Sequence, residues 1–196
     1  MFTGIIAAVG RIAARAPSAE GVRLHVETGA LALDDVTVGA SIAVNGVCLT
    51  VVALGDAGFE ADVSRETLNC TAGFAVGARV NLEKALRLSD RLDGHLVSGH
   101  VDGVGKVSRF DAAGDNRLLA IVAPAELARY LARKGSIAVD GVSLTINALI
   151  ESEFVVNLIP HTLRATSLHD LRVGDGVNLE VDLLARYAER LLNTSV

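Results

Sequence analysis

Ala40-Ser-Ile-Ala-Val-Asn-Gly-Val-Cys-Leu-Thr50 returns further along the chain as Gly135-Ser-Ile-Ala-Val-Asp-Gly-Val-Ser-Leu-Thr145, a shift of 95 residues. Each copy reads as a hairpin. Asn45-Gly46 and Asp140-Gly141 are preferred pairs for a two-residue type I′ turn, because they tolerate its positive φ angles. Such a turn fixes register, so Val44 opposes Val47, Ala43 opposes Cys48, Ile42 opposes Leu49, and Ser41 opposes Thr50. Side chains alternate faces along a strand. One face carries Ile42, Val44, Val47, Leu49 and Val51 and is expected in a core. The other carries Ser41, Ala43, Cys48 and Thr50, and in the second copy Ser136, Ala138, Ser143 and Thr145. That face reads as a shallow polar floor.

The same shift carries Gly4 onto Gly99, Gly10 onto Gly105, Phe59 onto Phe154, and Thr67-Leu68 onto Thr162-Leu163. Solenoid units recur at about 20–50 residues, so this is a whole domain copied in tandem. Each copy is long enough for its own core. Phe59–Ser64 and Phe154–Ile159 read as another strand. Gly77–Glu83 matches Gly174–Glu180 at a shift of 97 residues and reads as each copy's last strand. A helical turn or two interrupts each barrel. In the second copy Pro124 suits a helix start, Glu126–Arg133 are good formers, and Gly135 suits the end. Short strands punctuated by glycine predict an all-β chain of two small antiparallel barrels or sandwiches. Arg87–Gly94 is a short polar connection. Leu183, Leu184, Tyr187, Ala188, Leu191 and Leu192 then recur at helical spacing, as an apolar stripe. Self-association and packing back on a barrel are both open for it.

The chain has 196 residues and a formal net charge of −5, which gives no support for a nucleic-acid or anionic-lipid partner. No apolar run approaches the roughly 20 residues needed to span a bilayer. The N-terminus has no basic region and no cleavage-site pattern, so no signal peptide is expected. Cys48 and Cys70 face Ser143 and Ala165 in the other copy. A disulfide would be expected to duplicate with its domain, so both read as free thiols of a reducing cytoplasm.

Cys48 is the candidate nucleophile; the bland reading is a small buried apolar residue. His100 stands where the first copy has Ile5, and His161 where it has Glu66. His95 and His100, five apart on one strand, would face opposite sides, and no other spacing suits a structural zinc, so no metal is expected. Asp182 suits the cap of the last helix, and its counterpart is Ala85. Lys134 replaces Gly39 just before the hairpin. Gly103-Val-Gly105 lacks the third glycine of a dinucleotide fingerprint and is set aside. The repeated floors suggest two related sites for a planar, hydrogen-bonding ligand, with chemistry where the copies differ.

Met1-Phe-Thr-Gly-Ile5, Asn45-Gly-Val-Cys-Leu-Thr50, Gly94-His-Leu-Val-Ser-Gly-His100, Asp140-Gly-Val-Ser-Leu-Thr145 and Leu158-Ile-Pro-His-Thr162 together resemble the riboflavin synthases. The resemblance covers nearly the whole chain. It implies two tandem Greek-key six-stranded β-barrels plus a C-terminal α-helix. Residues 1–92 and 93–182 would be lumazine-binding barrels, and residues 183–196 an oligomerisation helix. The implied activity is a transferase dismutation of two 6,7-dimethyl-8-ribityllumazine molecules. One donates a four-carbon unit to the other, giving riboflavin and 5-amino-6-ribitylaminouracil, the last step of riboflavin biosynthesis. No cofactor is implied.

By the same resemblance, substrate contacts in the first repeat fall on Gly4, Ile5, Ile6, Cys48, Leu49, Thr50, Asp62, Val63, Ser64, Arg65, Glu66 and Thr67, with Ser41 a further polar contact. In the second repeat they fall on Gly99, His100, Val101, Lys134, Ser143, Leu144, Thr145, Asn157, Leu158, Ile159, Pro160, His161 and Thr162. Cys48, His100, Ser143 and Asp182 would be catalytic. His100 leads for proton transfer, and Cys48 would add to or activate the ring carbon of one lumazine, directly or through a positioned water. Ser143, Thr145 and Asp182 of the neighbouring subunit would orient the second lumazine and shuttle protons, and Ser41 and Thr50 would add hydrogen bonds. The resemblance further implies a cytoplasmic homotrimer whose site lies between neighbouring subunits, with lumazine synthase a candidate associate. The helix ends sooner here than in many relatives, so a less stable trimer is expected. A non-catalytic lumazine or flavin carrier on the same double barrel is the competing reading.

Overall fold

A computed structural model describes residues 1–193; the last three residues of the helix expected over 183–196 lie outside the described residues. The first barrel comprises β1 (Ala8–Ser18), β2 (Gly21–Glu27), β3 (Ser41–Val44), β4 (Val47–Gly55), β5 (Gly58–Ser64) and β6 (Arg79–Lys84). It closes in the order β1-β2-β5-β4-β3-β6. The second comprises β7 (Gly103–Ala113), β8 (Asn116–Val122), β9 (Ser136–Val139), β10 (Val142–Ile150), β11 (Glu153–Leu158) and β12 (Gly176–Val181), with the same circular order. The hairpin register is the one its turn dictates: Ser41↔Thr50, Ile42↔Leu49, Ala43↔Cys48 and Val44↔Val47. Ser136↔Thr145 through Val139↔Val142 repeat it.

Ile42, Val44, Val47, Leu49 and Val51 lie in the first core, with Phe59 and Leu82. Ile137, Val139, Val142, Phe154 and Leu179 do the same in the second. Each barrel bends at matching bulges. The register shifts between Val51 and Ala53 in β4, and between Ile146 and Ala148 in β10. A bulge adds local bend and twist, which closing a small barrel needs. The helix expected over Glu126–Arg133 is instead a 3₁₀ turn, Ala125–Tyr130, whose Leu131 N–H bonds back to Ala128. Helices α1 (Arg65–Cys70) and α2 (Pro160–Ala165) follow β5 and β11.

The barrels meet about a pseudo-two-fold axis. Asn81 Nδ2 donates to the Asp140 carbonyl at 2.9 Å, and Asn178 Nδ2 donates to the Asn45 carbonyl at 2.8 Å. The Asn81 N–H donates to Asn45 Oδ1 at 2.7 Å, and the Asn178 N–H to Asp140 Oδ1 at 2.8 Å. All four groups are satisfied at a desolvated seam, where an unpaired one would be costly. The floor of each hairpin is less polar than its sequence suggests. Ala43 and Ala138 are buried with Phe2 and Val97 in a third apolar cluster between the barrels.

The chain ends in α3 (Leu183–Leu192), capped by Asp182, whose side chain accepts from the Leu184 N–H. Arg186 donates to Asp102 at 2.5 Å and Arg129 to Glu189 at 2.7 Å; Tyr130 also donates to Glu189. Leu184, Tyr187, Leu191 and Leu192 are exposed. The polar side of α3 therefore faces the protein and the apolar side faces out.

Candidate functional site

The ladder between β4 and β5 runs only as far as Val51↔Ala61. The one between β10 and β11 runs only as far as Ile146↔Val156. Beyond those pairs, Cys48–Thr50 and Asp62–Ser64 flank one opening in the first barrel's wall. Ser143–Thr145 and Asn157–Leu158 flank its equivalent in the second. Strand edges without a ladder partner present backbone N–H and C=O groups to a ligand.

A segment from the other half of the chain covers each hairpin. Phe2 and Val97 form an isolated bridge, and the His95 N–H donates to the Thr3 carbonyl beside it. The Cys48 N–H then donates to the Gly99 carbonyl at 2.8 Å, and the Ser143 N–H to the Gly4 carbonyl at 2.8 Å. Ile6 packs on the second core and Val101 on the first. Repeat by repeat, the sequence groups Gly4, Ile5 and Ile6 with Cys48, and Gly99, His100 and Val101 with Ser143. The structure reverses this: the two segments cross. The physical reason is close approach. A Cβ on Gly99, at φ +81°, would stand 2.6 Å from Cys48 Cβ, and one on Gly4, at φ +75°, 2.6 Å from Ser143 Cβ. Only glycine combines that conformation with that contact.

Two different chemical sets result. Beside the first opening stand half-buried Cys48 and exposed His100, joined through the Gly99 carbonyl. Beside the second, Ser143 Oγ is 2.7 Å from His95 Nδ1. His95 is 8% exposed, and its Nε2 has no hydrogen-bond partner. Burial holds its pKa below the usual histidine value, against the opposing pull of the Asp182 carboxylate. A neutral imidazole bonded to a serine hydroxyl is suited to moving a proton.

The lumazine binding domain profile matches this chain twice, over residues 3–85 and 98–182. A riboflavin synthase of Photobacterium phosphoreum is 48% identical over 194 residues, covering 98% of this chain and 89% of that one. One of Mycobacterium tuberculosis is 45% identical over 201 residues, covering 100% of both. The chain belongs to the riboflavin synthase family. Among solved structures, LumP complexed with riboflavin superposes with a TM-score of 0.85 at 26% identity, covering 92% of this chain and 99% of that one. LumP complexed with 6,7-dimethyl-8-(1'-D-ribityl) lumazine gives 0.83 over the same shares.

The remaining family-implied positions divide by exposure. Leu49, Val63 and Leu158 point into cores, so only their backbone can reach a ligand. Leu144 packs partly on the second core. Ser41 and Thr50 lie opposite each other on β3 and β4. Asp62 is exposed and held by Arg23 through two bonds of 2.8 Å, which lower its pKa. Ser64 caps α1, accepting from the Thr67 N–H at 3.1 Å and bonding the Thr67 hydroxyl at 3.0 Å. Arg65 is tied by its N–H to the Glu20 carbonyl, and Glu66 accepts from the Cys70 thiol. Asn157, Ile159, Pro160, His161 and Thr162 line the turn from β11 into α2, with Ile159 49% exposed. Lys134 is exposed at φ +70°, where the first copy has Gly39. A lysine in the left-handed region carries strain of roughly 1–2 kcal/mol.

Sequence reasoning considers His95 only as a metal ligand and excludes it as one. It has no counterpart in the first copy, since the shift of 95 residues would place one before Met1. It also treated residues 95–100 as a strand. Outside the single bridge at Val97 the segment is irregular, and His95 and His100 are directed by different neighbours.

Proposed function

We propose that this chain performs the dismutation of two 6,7-dimethyl-8-ribityllumazine molecules to riboflavin and 5-amino-6-ribitylaminouracil. The observation that carries the reading is the pair of equivalent openings equipped with unlike side chains. Two identical substrates call for two similar pockets, and their opposite roles call for different chemistry in each. The pyrimidine edge of a lumazine alternates C=O and N–H groups, as a strand edge does. Cys48–Thr50 and Ser143–Thr145 would read that edge through their backbone.

In the reaction, the two methyl carbons of the acceptor bond to two ring carbons of the donor, and two C–N bonds of the donor break. Protons must leave the methyl carbons and reach the released nitrogens. His95 takes a proton through Ser143, with Asp182 favouring the imidazolium that forms. Cys48 and His100 serve the other lumazine, the thiol activating its ring carbon. Holding both rings face to face supplies the larger share, as much as roughly 7–11 kcal/mol. One proton-transfer group typically supplies about 10²–10⁴-fold.

The face-to-face pair forms between the first barrel of one copy and the second barrel of its neighbour, in a homotrimer held through the outward apolar side of α3. Two free cysteines, and no described helix long and apolar enough to cross a membrane, fit a cytoplasmic enzyme.

Incubating the protein with the lumazine should form riboflavin and the pyrimidine one for one. Cys48→Ser, His95→Gln and Ser143→Ala should each lower kcat by about 10²-fold or more while leaving binding largely intact. Binding of lumazine with no riboflavin formed would mark a carrier. Unchanged kcat in all three variants would remove the assigned roles.

A further inference from the structure

Two glutamates outside the sites above are built into the crossing segments. Glu180, on β12, is 3% exposed. Its carboxylate accepts from the Ser98 N–H at 2.6 Å, the Ser98 hydroxyl at 2.7 Å, the Gly99 N–H at 2.9 Å and the His100 N–H at 3.1 Å. Glu83, on β6, accepts from the Thr3 N–H at 2.7 Å, the Thr3 hydroxyl at 2.6 Å and the Gly4 N–H at 3.0 Å. A buried charge costs free energy unless it is fully hydrogen-bonded. Neither glutamate has a cationic side chain among these partners; each is held by the hydrogen bonds of its loop, and the N-terminal ammonium also favours the Glu83 carboxylate.

We propose that Glu180 is a positioning residue for the Cys48 site of the first barrel and Glu83 one for the Ser143 site of the second, so that each repeat's last strand assembles the other repeat's lumazine site. The proposal rests on the reading of those openings as lumazine sites. Glu180 fixes three consecutive backbone N–H groups of the segment whose Gly99 carbonyl takes the Cys48 N–H. That same segment carries His100 and lays Val101 on the first core. Glu83 does the equivalent for Gly4, whose carbonyl takes the Ser143 N–H, and for Ile6 on the second core. Charge-assisted bonds are the strong ones, and a carboxylate accepting several donors at once fixes a loop more tightly than neutral acceptors would. Glutamine keeps the shape but brings an NH₂ group where only donors are already aimed, so it repels part of the loop.

The test is alkylation of Cys48 by iodoacetamide, mapped by peptide mass spectrometry, with riboflavin as the protecting ligand and exposed Cys70 as the internal control. In the unsubstituted protein riboflavin should protect Cys48 and spare Cys70. Glu180→Gln, in the repeat that lacks Cys48, should raise the riboflavin concentration needed for protection by about tenfold or more. Glu83→Gln, in the same repeat as Cys48, should leave it within about twofold. Both variants should lower kcat, because both substrates must be held. Ser98→Ala removes one of the four Glu180 donors without disturbing the carboxylate. It should give a smaller shift in the same direction, and it decides the matter if Glu180→Gln fails to fold. Equal loss of protection in the two glutamine variants, or loss with Glu83→Gln alone, would overturn the proposal. Absence of protection in the unsubstituted protein would instead overturn the site reading beneath it.

Discussion

Asp140 and Asn45 occupy the same place in the two turns, at φ +44° and +47°, and each side-chain oxygen accepts from the N–H of an asparagine on the last strand of its own barrel. They differ in that one can ionise. Burial pushes the Asp140 pKa up to about 7, only partly opposed by the Asn178 N–H. Arg79, Asp170 and Asp175 line the same cavity of about 590 Å³ at the seam, so two of its three charged neighbours share the Asp140 sign. A carboxyl with a raised folded pKa holds its proton in the native state after the unfolded chain has lost it. Stability is then full below about pH 4 and is lost as pH rises through the folded value near 7. At 1.36 kcal/mol for each pKa unit, the loss is on the order of 4 kcal/mol. Glu83 is shifted the same way by burial and adds to the trend. Asp140→Asn, which copies the first repeat, should remove most of this slope. Urea unfolding at pH 5 and pH 8 would show it: the variant should gain stability mainly at pH 8. Equal gains at both pH values would mean that Asp140 does not titrate there.

The crossing segments decide how the elements share the two sites, and Gly99 is their tightest point. An alanine there would carry left-handed strain of about 1–2 kcal/mol and set its methyl 2.6 Å from Cys48 Cβ and 2.9 Å from the Phe2 ring. Gly73, at φ +86° with nothing within 4 Å, carries the strain without the collision. Gly99→Ala should therefore weaken riboflavin binding at the first opening and lower Tm by several degrees more than Gly73→Ala does. Equal Tm losses with binding preserved would show that the segment tolerates lifting from β4. The hairpins were legible in the sequence because Asn-Gly and Asp-Gly turns are local signals, and the register of β3 and β4 follows from them alone. The crossing was not legible. A tandem repeat lists each segment beside its own copy, whereas exchange depends on which hairpin a glycine can approach. The glutamates shared that fate: their hydrogen-bond partners lie 79 to 82 residues away. A glutamate that follows Val-Asn-Leu in both copies was the one sign of them. His95 offered less, having no counterpart to be compared with.

At the scale of the molecule, the apolar stripe of α3 was legible from its spacing, but its direction was not. Periodicity identifies a face without saying what it faces. Asp102, Arg129 and Tyr130 settle it by drawing Arg186 and Glu189 inward, leaving Leu184, Tyr187, Leu191 and Leu192 at 62% to 85% exposure. An exposed apolar row of this kind marks an interaction surface, which is where the proposed homotrimer would be held. Burying one such side chain against a neighbour contributes roughly 1.5–3 kcal/mol, so four of them on each of several copies can hold an assembly. Because these side chains touch little of their own chain, replacing them should cost the barrels nothing. Tyr187→Glu combined with Leu191→Glu should leave Tm at high dilution unchanged, keep riboflavin binding to each chain, and shift sedimentation to the monomer. If the productive lumazine pair forms only between copies, turnover should then fall by far more than binding and recover as protein concentration rises. A monomer with full turnover at nanomolar concentration would show that one chain brings its own two lumazines together, and the inter-subunit site would have to be abandoned.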